Sequence, residues 1–269
     1  MKKTRLDVLL VERELIETRE KAKRIIMAGL VYTEQERLDK PGMKVAEDIP
    51  LTIKGKPIPY VGRGGLKLEK ALKSFAISAN DKVMVDVGAS TGGFTDCALQ
   101  NGAKLCYAID VGYNQLDWKL RSDERVIVME RTNFRYVTPD MLKKGAPNLA
   151  TVDVSFISLK LILPVLKQLL AMDSDIIILI KPQFEAGREQ VGKKGIVRDP
   201  NVHQEVIENI SKFAKNEGYE LLGLTYSPIT GGEGNIEFLA HLGWKKEKTM
   251  DQWAEDQINK VVMEAHATL

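Results

Sequence analysis

The run V-M-V-D-V-G-A-S-T-G-G-F at residues 83–94 limits what this chain can fold into more than any other stretch. Val83, Val85 and Val87 form a short β-rich apolar run, a Gly-rich turn follows at once, and T-D-C-A-L-Q reads as the opening of a helix. A strand, a Gly turn and a helix in that order bring backbone N–H groups and a helix N-terminus to a ligand. The spacing is not the dinucleotide pattern G-x-G-x-x-G, because Gly88 is followed by Gly92 and Gly93. Asp86, read as lying inside the turn, would repel a pyrophosphate but suit a cationic or hydroxylated ligand. Asp110 ends the apolar run 105–109, where α/β folds place a ribose-binding carboxylate. The expected ligand is a nucleoside cofactor without a pyrophosphate, S-adenosylmethionine first, set against an ordinary βα turn of another doubly wound fold. The residues expected to touch it are Asp86, Gly88, Ser90, Thr91, Gly92, Gly93, Phe94 and Asp110. Asn133 joins them, after the third strand, where its amide could bond the adenine edge.

With 269 residues the chain suits one large domain and a small one. Its net charge of +2 hides an asymmetry. Residues 1–73 hold 17 Lys and Arg against 11 Asp and Glu, whereas the rest holds 22 against 26. A basic front end of this kind faces a polyanion. Cys97 and Cys106 lack metal spacing and are expected to be reduced, buried thiols of a cytoplasmic protein. No signal-peptide core is expected in M-K-K-T-R-L-D, and no apolar run approaches the roughly 18 residues of a membrane span. The three histidines show no metal spacing, so no metal is expected, and the protein is read as a monomer.

Thr4 with Asp7 reads as a capping box opening a helix at 6–14. A second helix is expected from 18 to 28, closed by Gly29, with Ala22, Ile25 and Ile26 on one face and Arg19, Lys23 and Arg24 mostly on another. Strands follow at 30–33 and 51–53, with a turn at Lys40-Pro41-Gly42 between them. The connector K-G-K-P-I-P-Y at 54–60 is semi-rigid and marks a domain boundary. Beyond a helix at 64–75, strands near 83–87, 105–110, 126–130, 149–154 and 176–180 alternate with helices near 93–101, 114–121 and 156–172. A helix at 202–217 and an antiparallel pair at 220–226 and 236–242 complete the pattern. The expectation is a seven-stranded, mostly parallel, doubly wound Rossmann-like α/β sheet with ligands at the carboxyl ends of its strands. Asp153, Lys181 and Glu237 all fall at strand ends facing that edge. The loop G-R-E-Q-V-G-K-K-G-I-V-R-D-P at 187–200, with Lys193 and Lys194 at its centre, reads either as a mobile element touching RNA or as a plain surface loop. A C-terminal helix within 246–269 is expected to pack Trp253, Ile258 and Val261 on the body.

Two family resemblances gather these features. R-L-D-V-L-L-V-E-R and A-K-R-I-I-M-A-G-L-V-Y resemble the S4 RNA-binding domain, which implies phosphate contacts from Arg5, Arg19, Lys23 and Arg24. The body resembles FtsJ-type ribose 2′-O-methyltransferases through G-R-G-G-L-K-L, T-V-D-V-S, I-K-P-Q-F-E and N-I-E-F-L. That likeness implies a catalytic set of Lys67, Asp153, Lys181 and Glu237. An S4 module (1–60) on such a body (61–245), followed by a packed C-terminal helix (246–269), is the arrangement of the TlyA/haemolysin A family. The family's R-G-G-x-K-L, D-V-G-A-S-T-G-G-F-T-D, D-V-S-F-I-S-L and K-P-Q-F-E are all present. One departure from the wider FtsJ pattern is T-G-G-F at 91–94, where many relatives have P-G-G-W.

The resemblance implies S-adenosylmethionine-dependent methylation of a ribose 2′-hydroxyl, of cytidine in ribosomal RNA, on ribosomal subunits. The chemistry fits these residue types, because a ribose hydroxyl attacks poorly until its proton is taken or its charge stabilised. Lys181 is the residue expected to activate it. As a base it would need to fall from about 10.4 to about 7–8. As an ammonium it would stabilise the developing alkoxide instead. Two other readings stand beside this one. A haemolysin needs an amphipathic or spanning segment, and a ribosome-binding module without catalysis has no use for the four-residue set.

Overall fold

Val- and Ile-rich runs between helices fold, in the computed structural model, into a central sheet buried on both faces. The structure describes residues 3–27, 29–34, 36–55, 58–231, 234–246 and 255–269. The chain divides into two compact units, Met1–Arg63 and Gly64–Leu269.

In the first unit, β1 (Lys3–Arg5) leads straight into α1 (Leu6–Glu12), followed by α2 (Arg19–Met27). The small strands β2 (Val31–Tyr32), β3 (Arg37–Leu38), β4 (Lys44–Ala46) and β5 (Thr52–Ile53) complete it. β1 pairs antiparallel with β4, and β2 lies between β3 and β5. Leu6, Leu9, Leu10, Ala22, Ile25, Ile26 and Val31 form its core. The expected capping box is corrected here. Thr4 lies in β1 and donates to Glu47 Oε1 at 2.8 Å, while Asp7 is buried and receives Arg5 and Arg19. β-pairing with a segment 43 residues away overrode the local signal. Thr18 does cap α2, accepting from Lys21 N at 3.2 Å. Gly29 closes that helix by donating to Ile26 O at 2.8 Å, and Ala28 lies outside the described residues.

The second unit opens with α3 (Gly64–Ser74), then runs β6 (Val83–Val87), α4 (Gly93–Gln100), β7 (Leu105–Ile109), α5 (Trp118–Arg121) and β8 (Val126–Met129). Next come β9 (Leu149–Val152), α6 (Leu163–Leu169), β10 (Ser174–Ile180) and α7 (Pro182–Glu185). The chain ends with α8 (Pro200–Asn216), β11 (Glu220–Tyr226), β12 (Phe238–Trp244) and α9 (Glu255–Thr268). The seven strands stand in the order β11-β12-β10-β9-β6-β7-β8. β10, β9, β6, β7 and β8 run parallel, and β12 runs antiparallel between β10 and β11.

The chain starts in the middle of the sheet at β6, fills one side, then crosses to β9. A doubly wound sheet opens a ligand crevice at such a reversal. Two expected helices are shorter than their apolar pattern implied. Of 114–121 only α5 is helical, and 156–172 resolves into a 3-10 turn at Leu159–Leu161 before α6. Phe156, at a φ of +62°, cannot sit in a right-handed helix, and Pro164 fits the first turn of α6. On one face, Ile207 and Ile210 of α8 pack with Ile258 and Val262 of α9. Val261 is half-buried against the same cluster, and Trp253 lies outside the described residues.

Candidate active site

Strand register brings three distant acids and bases to one edge. Asp153 follows β9 directly, and its N–H donates to Val87 O at 2.9 Å. Ile180, the last residue of β10, pairs with Phe238, the first of antiparallel β12. Lys181 and Glu237 are the neighbours just beyond that pair. α3 supplies Lys67 from the side. Lys67 Nζ lies 2.6 Å from Glu237 Oε2 and 3.8 Å from Asp153 Oδ2. Lys181 Nζ forms an ion pair with Asp153 Oδ1 and donates to Ser155 Oγ at 3.1 Å. The four side chains therefore form one chain of alternating charge, Lys181–Asp153–Lys67–Glu237. Lys67 and Lys181 are each 8 % exposed and Glu237 2 %, while Asp153 is the most open. Two lysines against two carboxylates balance in formal charge, which offsets part of the penalty an isolated buried charge would carry. Gly231 leaves room for the glutamate, because a Cβ there would stand 2.2 Å from Glu237 Oε1.

Beside this cluster lies a cavity of about 460 Å³ lined by Gly88, Ser90, Asp110, Asn133, Asp153 and Ser155, among others. Asp110 is fixed by two backbone N–H groups, Ser90 N to Oδ2 and Gly112 N to Oδ1, each at 2.7 Å. Each oxygen keeps a lone pair for a ligand hydroxyl. Asn133 spends its oxygen on Arg135 N at 3.2 Å, which leaves the NH₂ as its group for a ligand. Gly88 holds a φ of +85°, and a Cβ on it would meet the Asp153 carbonyl oxygen at 2.3 Å. The mixed wall of carboxylate, amide, backbone and apolar side chains fits a nucleoside with free hydroxyls.

Asp86 is placed differently from the expectation. It belongs to β6, is 1 % exposed, and does not line the cavity. Thr95 N and Oγ1 donate to its Oδ2 at 3.1 and 2.7 Å, and Thr151 Oγ1 to its Oδ1 at 2.8 Å. Burial raises its carboxyl to about 6 against these hydrogen bonds. Its role in the structure is to lock the turn to β9 and α4 from beneath. Thr91 is exposed on the turn, whereas Gly92, Gly93 and Phe94 are buried. Phe94 packs against the start of α3, where a Cβ on Gly64 would lie 3.3 Å from its ring. The aromatic of T-G-G-F thus supports the helix that carries Lys67.

The basic residues of the first unit are partly committed. Arg5 and Arg19 each reach Asp7 at 2.9 Å, with about half of each side chain exposed. These guanidiniums hold the Asp7 carboxyl down at about 2. Lys23 lies 3.0 Å from Glu20, and Arg24 is half-buried. Lys193 and Lys194 are exposed on a loop that is anchored rather than free. Val197 N donates to Asn235 Oδ1 at 3.1 Å, Asn235 Nδ2 donates to Gly195 O at 2.9 Å, and His203 Nε2 meets Val197 O at 3.1 Å. Sequence reading missed Ser155, Gln115 and Arg135 as cavity residues. For Ser155 a signal existed, two positions after Asp153. Among the described residues no group of His, Cys, Asp and Glu is placed to hold a metal.

The FtsJ-like methyltransferase family model matches residues 60–244, and the S4 domain model matches residues 4–48. YqxC of Bacillus subtilis, a candidate rRNA methyltransferase, is 67% identical over 269 residues, covering 100% of this chain and 96% of its own. The 16S/23S rRNA (cytidine-2′-O)-methyltransferase TlyA of Mycobacterium tuberculosis is 38% identical over 265 residues, 98% of each chain. A solved structure of a candidate hemolysin from Streptococcus thermophilus superposes with a TM-score of 0.80 at 53% identity, covering 100% of this chain and 97% of that one.

Proposed function

The chain belongs to the TlyA family of FtsJ-like methyltransferases that carry an S4 domain, and on that premise we propose that it methylates a ribose 2′-hydroxyl of cytidine in ribosomal RNA. The observation that carries this reading is the buried Lys181–Asp153–Lys67–Glu237 chain beside a nucleoside-sized cavity. S-adenosylmethionine would be held by Gly88, Ser90, Asp110 and Asn133, and would supply a methyl group on a sulfonium with a good leaving group.

The work of the protein is alignment and proton handling. Asp153 and Glu237 hold the two lysines, and Lys181 meets the incoming hydroxyl. As an amine Lys181 takes its proton, and as an ammonium it stabilises the alkoxide. The division of labour follows the chain. Residues 1–60 dock the RNA through Arg5, Arg19, Lys23 and Arg24, and residues 61–245 carry the chemistry. Within 246–269, α9 braces the body, and Lys193 and Lys194 add a basic loop from the body itself. The enzyme works as a cytoplasmic monomer on ribosomal subunits.

Purified protein incubated with labelled S-adenosylmethionine and ribosomal subunits should place label on cytidine 2′-oxygens. Lys181→Ala should lower kcat by about 10²–10⁴-fold while calorimetry shows S-adenosylmethionine affinity nearly unchanged. No transfer by the wild type across several salt concentrations would overturn the proposal.

A further inference from the structure

The segments that follow β9 and β10 are joined by three layers of contact. Lys181 meets Asp153 and Ser155 in the first. The rings of Phe156 and Phe184 lie 5.0 Å apart in the second. In the third, Glu185 accepts from Ser158 Oγ at 2.6 Å and from Leu159 N at 2.8 Å. Burial raises the Glu185 carboxyl above its ordinary range against those two hydrogen bonds. Ser155 is therefore carried on a segment pinned on both sides, by Asp153 N to Val87 O before it and by Glu185 after it. It also lines the cavity shared with Gly88, Ser90 and Asp110.

An ε-amino nitrogen has three bonding directions besides its own carbon. Asp153 takes one and Ser155 a second, so one remains for a substrate hydroxyl. Lysine ends a flexible four-carbon stem. Held by Asp153 alone, its nitrogen could swing about that single ion pair and carry the third direction off target. Lys67 sits across Asp153 and Phe184 lies 6.0 Å away, and neither supplies the missing acceptor. We infer that Ser155 is a positioning residue for Lys181, its hydroxyl acting as the second acceptor that aims the remaining Nζ direction at the oxygen to be methylated. This rests on the role proposed above for Lys181.

A displacement of about 1 Å in such a group lowers rate by about 10²-fold. Ser155→Ala should accordingly lower kcat by roughly 10–100-fold while the KM for S-adenosylmethionine stays within about twofold. Ser155→Thr, which keeps the hydroxyl, should recover most of the loss. A second readout needs no activity. In protein labelled with ¹³C at lysine Cε, the Lys181 signal, identified by its absence in Lys181→Arg, should show two distinct Hε shifts because the side chain is held in one rotamer. In Ser155→Ala the two should collapse to one, and in Ser155→Thr they should return. A wild type that transfers no methyl would overturn the reaction proposed above and leave the NMR comparison to decide the role of Ser155. Ser155→Ala with two distinct Hε shifts and, where transfer is measurable, wild-type kcat would overturn the inference.

Discussion

Gly88 is the residue at which the cofactor turn and the catalytic cluster touch. Its φ of +85° is one an L side chain rarely adopts, and a Cβ there would strike the backbone carbonyl of Asp153 at 2.3 Å. Backbone cannot swing aside as a side chain can. Gly88→Ala should cost about 2–4 kcal/mol of stability in urea titration and weaken S-adenosylmethionine binding with it. Gly231 presents the opposite case. Its added Cβ would press on the far end of the Glu237 side chain, which can move. Gly231→Ala should leave the unfolding free energy from urea titration within about 1 kcal/mol of wild type. The shifted carboxylate would loosen its 2.6 Å contact with Lys67, so methyl transfer should fall about tenfold or more. A Gly231→Ala enzyme with full kcat would show that the Lys67–Glu237 contact does not matter to the rate.

At the scale of elements, two buried titratable groups tie strands and helices together and act in opposite senses on pH. Asp86 joins β6 to β9 and α4, and its carboxyl stands near 6 when folded against about 3.9 when unfolded. Between about pH 4 and 6 the folded state holds this proton longer, so rising pH removes stability, roughly 3 kcal/mol over the window. His203 joins α8 to α9 through His266, 2.9 Å away, and to the loop at Val197. Burial, then the neighbouring His266, lowers His203 to about 4 against about 6.5 unfolded. Its contribution is complete above about 6.5 and is lost as pH falls toward 4. The two effects oppose each other over nearly the same window. Asp86→Asn keeps an oxygen for Thr95 and an amide for Thr151, so it removes only the titration. Its stability should rise with pH between 4 and 6.5 more steeply than that of the wild type, as read from urea midpoints at each pH. Equal slopes would refute the assignment.

For the whole molecule, a basic unit precedes a body whose charge is slightly negative. Arg19, Lys23 and Arg24 lie on one short helix, α2, and their loss should act chiefly on RNA binding. Replacing all three with Ala should raise the KM for ribosomal subunits by about tenfold or more and reduce the salt slope of binding by up to about 0.9 per lost phosphate contact. S-adenosylmethionine affinity should not change. A fall in cofactor affinity of the same size would mean that the helix serves the body instead. Because Arg19 also holds the buried Asp7, Lys23→Ala with Arg24→Ala is the cleaner variant for separating RNA contact from folding.

Much of this protein was legible from the order of its residues. Short apolar runs of four to seven residues, bounded by turn residues and alternating with helical segments, read as strands, so the seven strands and their parallel core followed from pattern. Gly88 announced a turn, and polar residues stranded at the ends of apolar runs, Asp153 and Lys181 above all, announced a site. Contacts between residues far apart in sequence were not legible. The Asp7 carboxylate looked like a helix cap until β1 paired with β4, and Asp86 looked like a ligand contact until Thr95 and Thr151 closed around it. Ser155 stood inside the T-V-D-V-S run, yet only the meeting of β9 and β10 gave it Lys181 as a partner. Periodicity and turn chemistry are local and can be read along the chain. Hydrogen bonding and burial depend on which segments meet, and tertiary packing alone decides that.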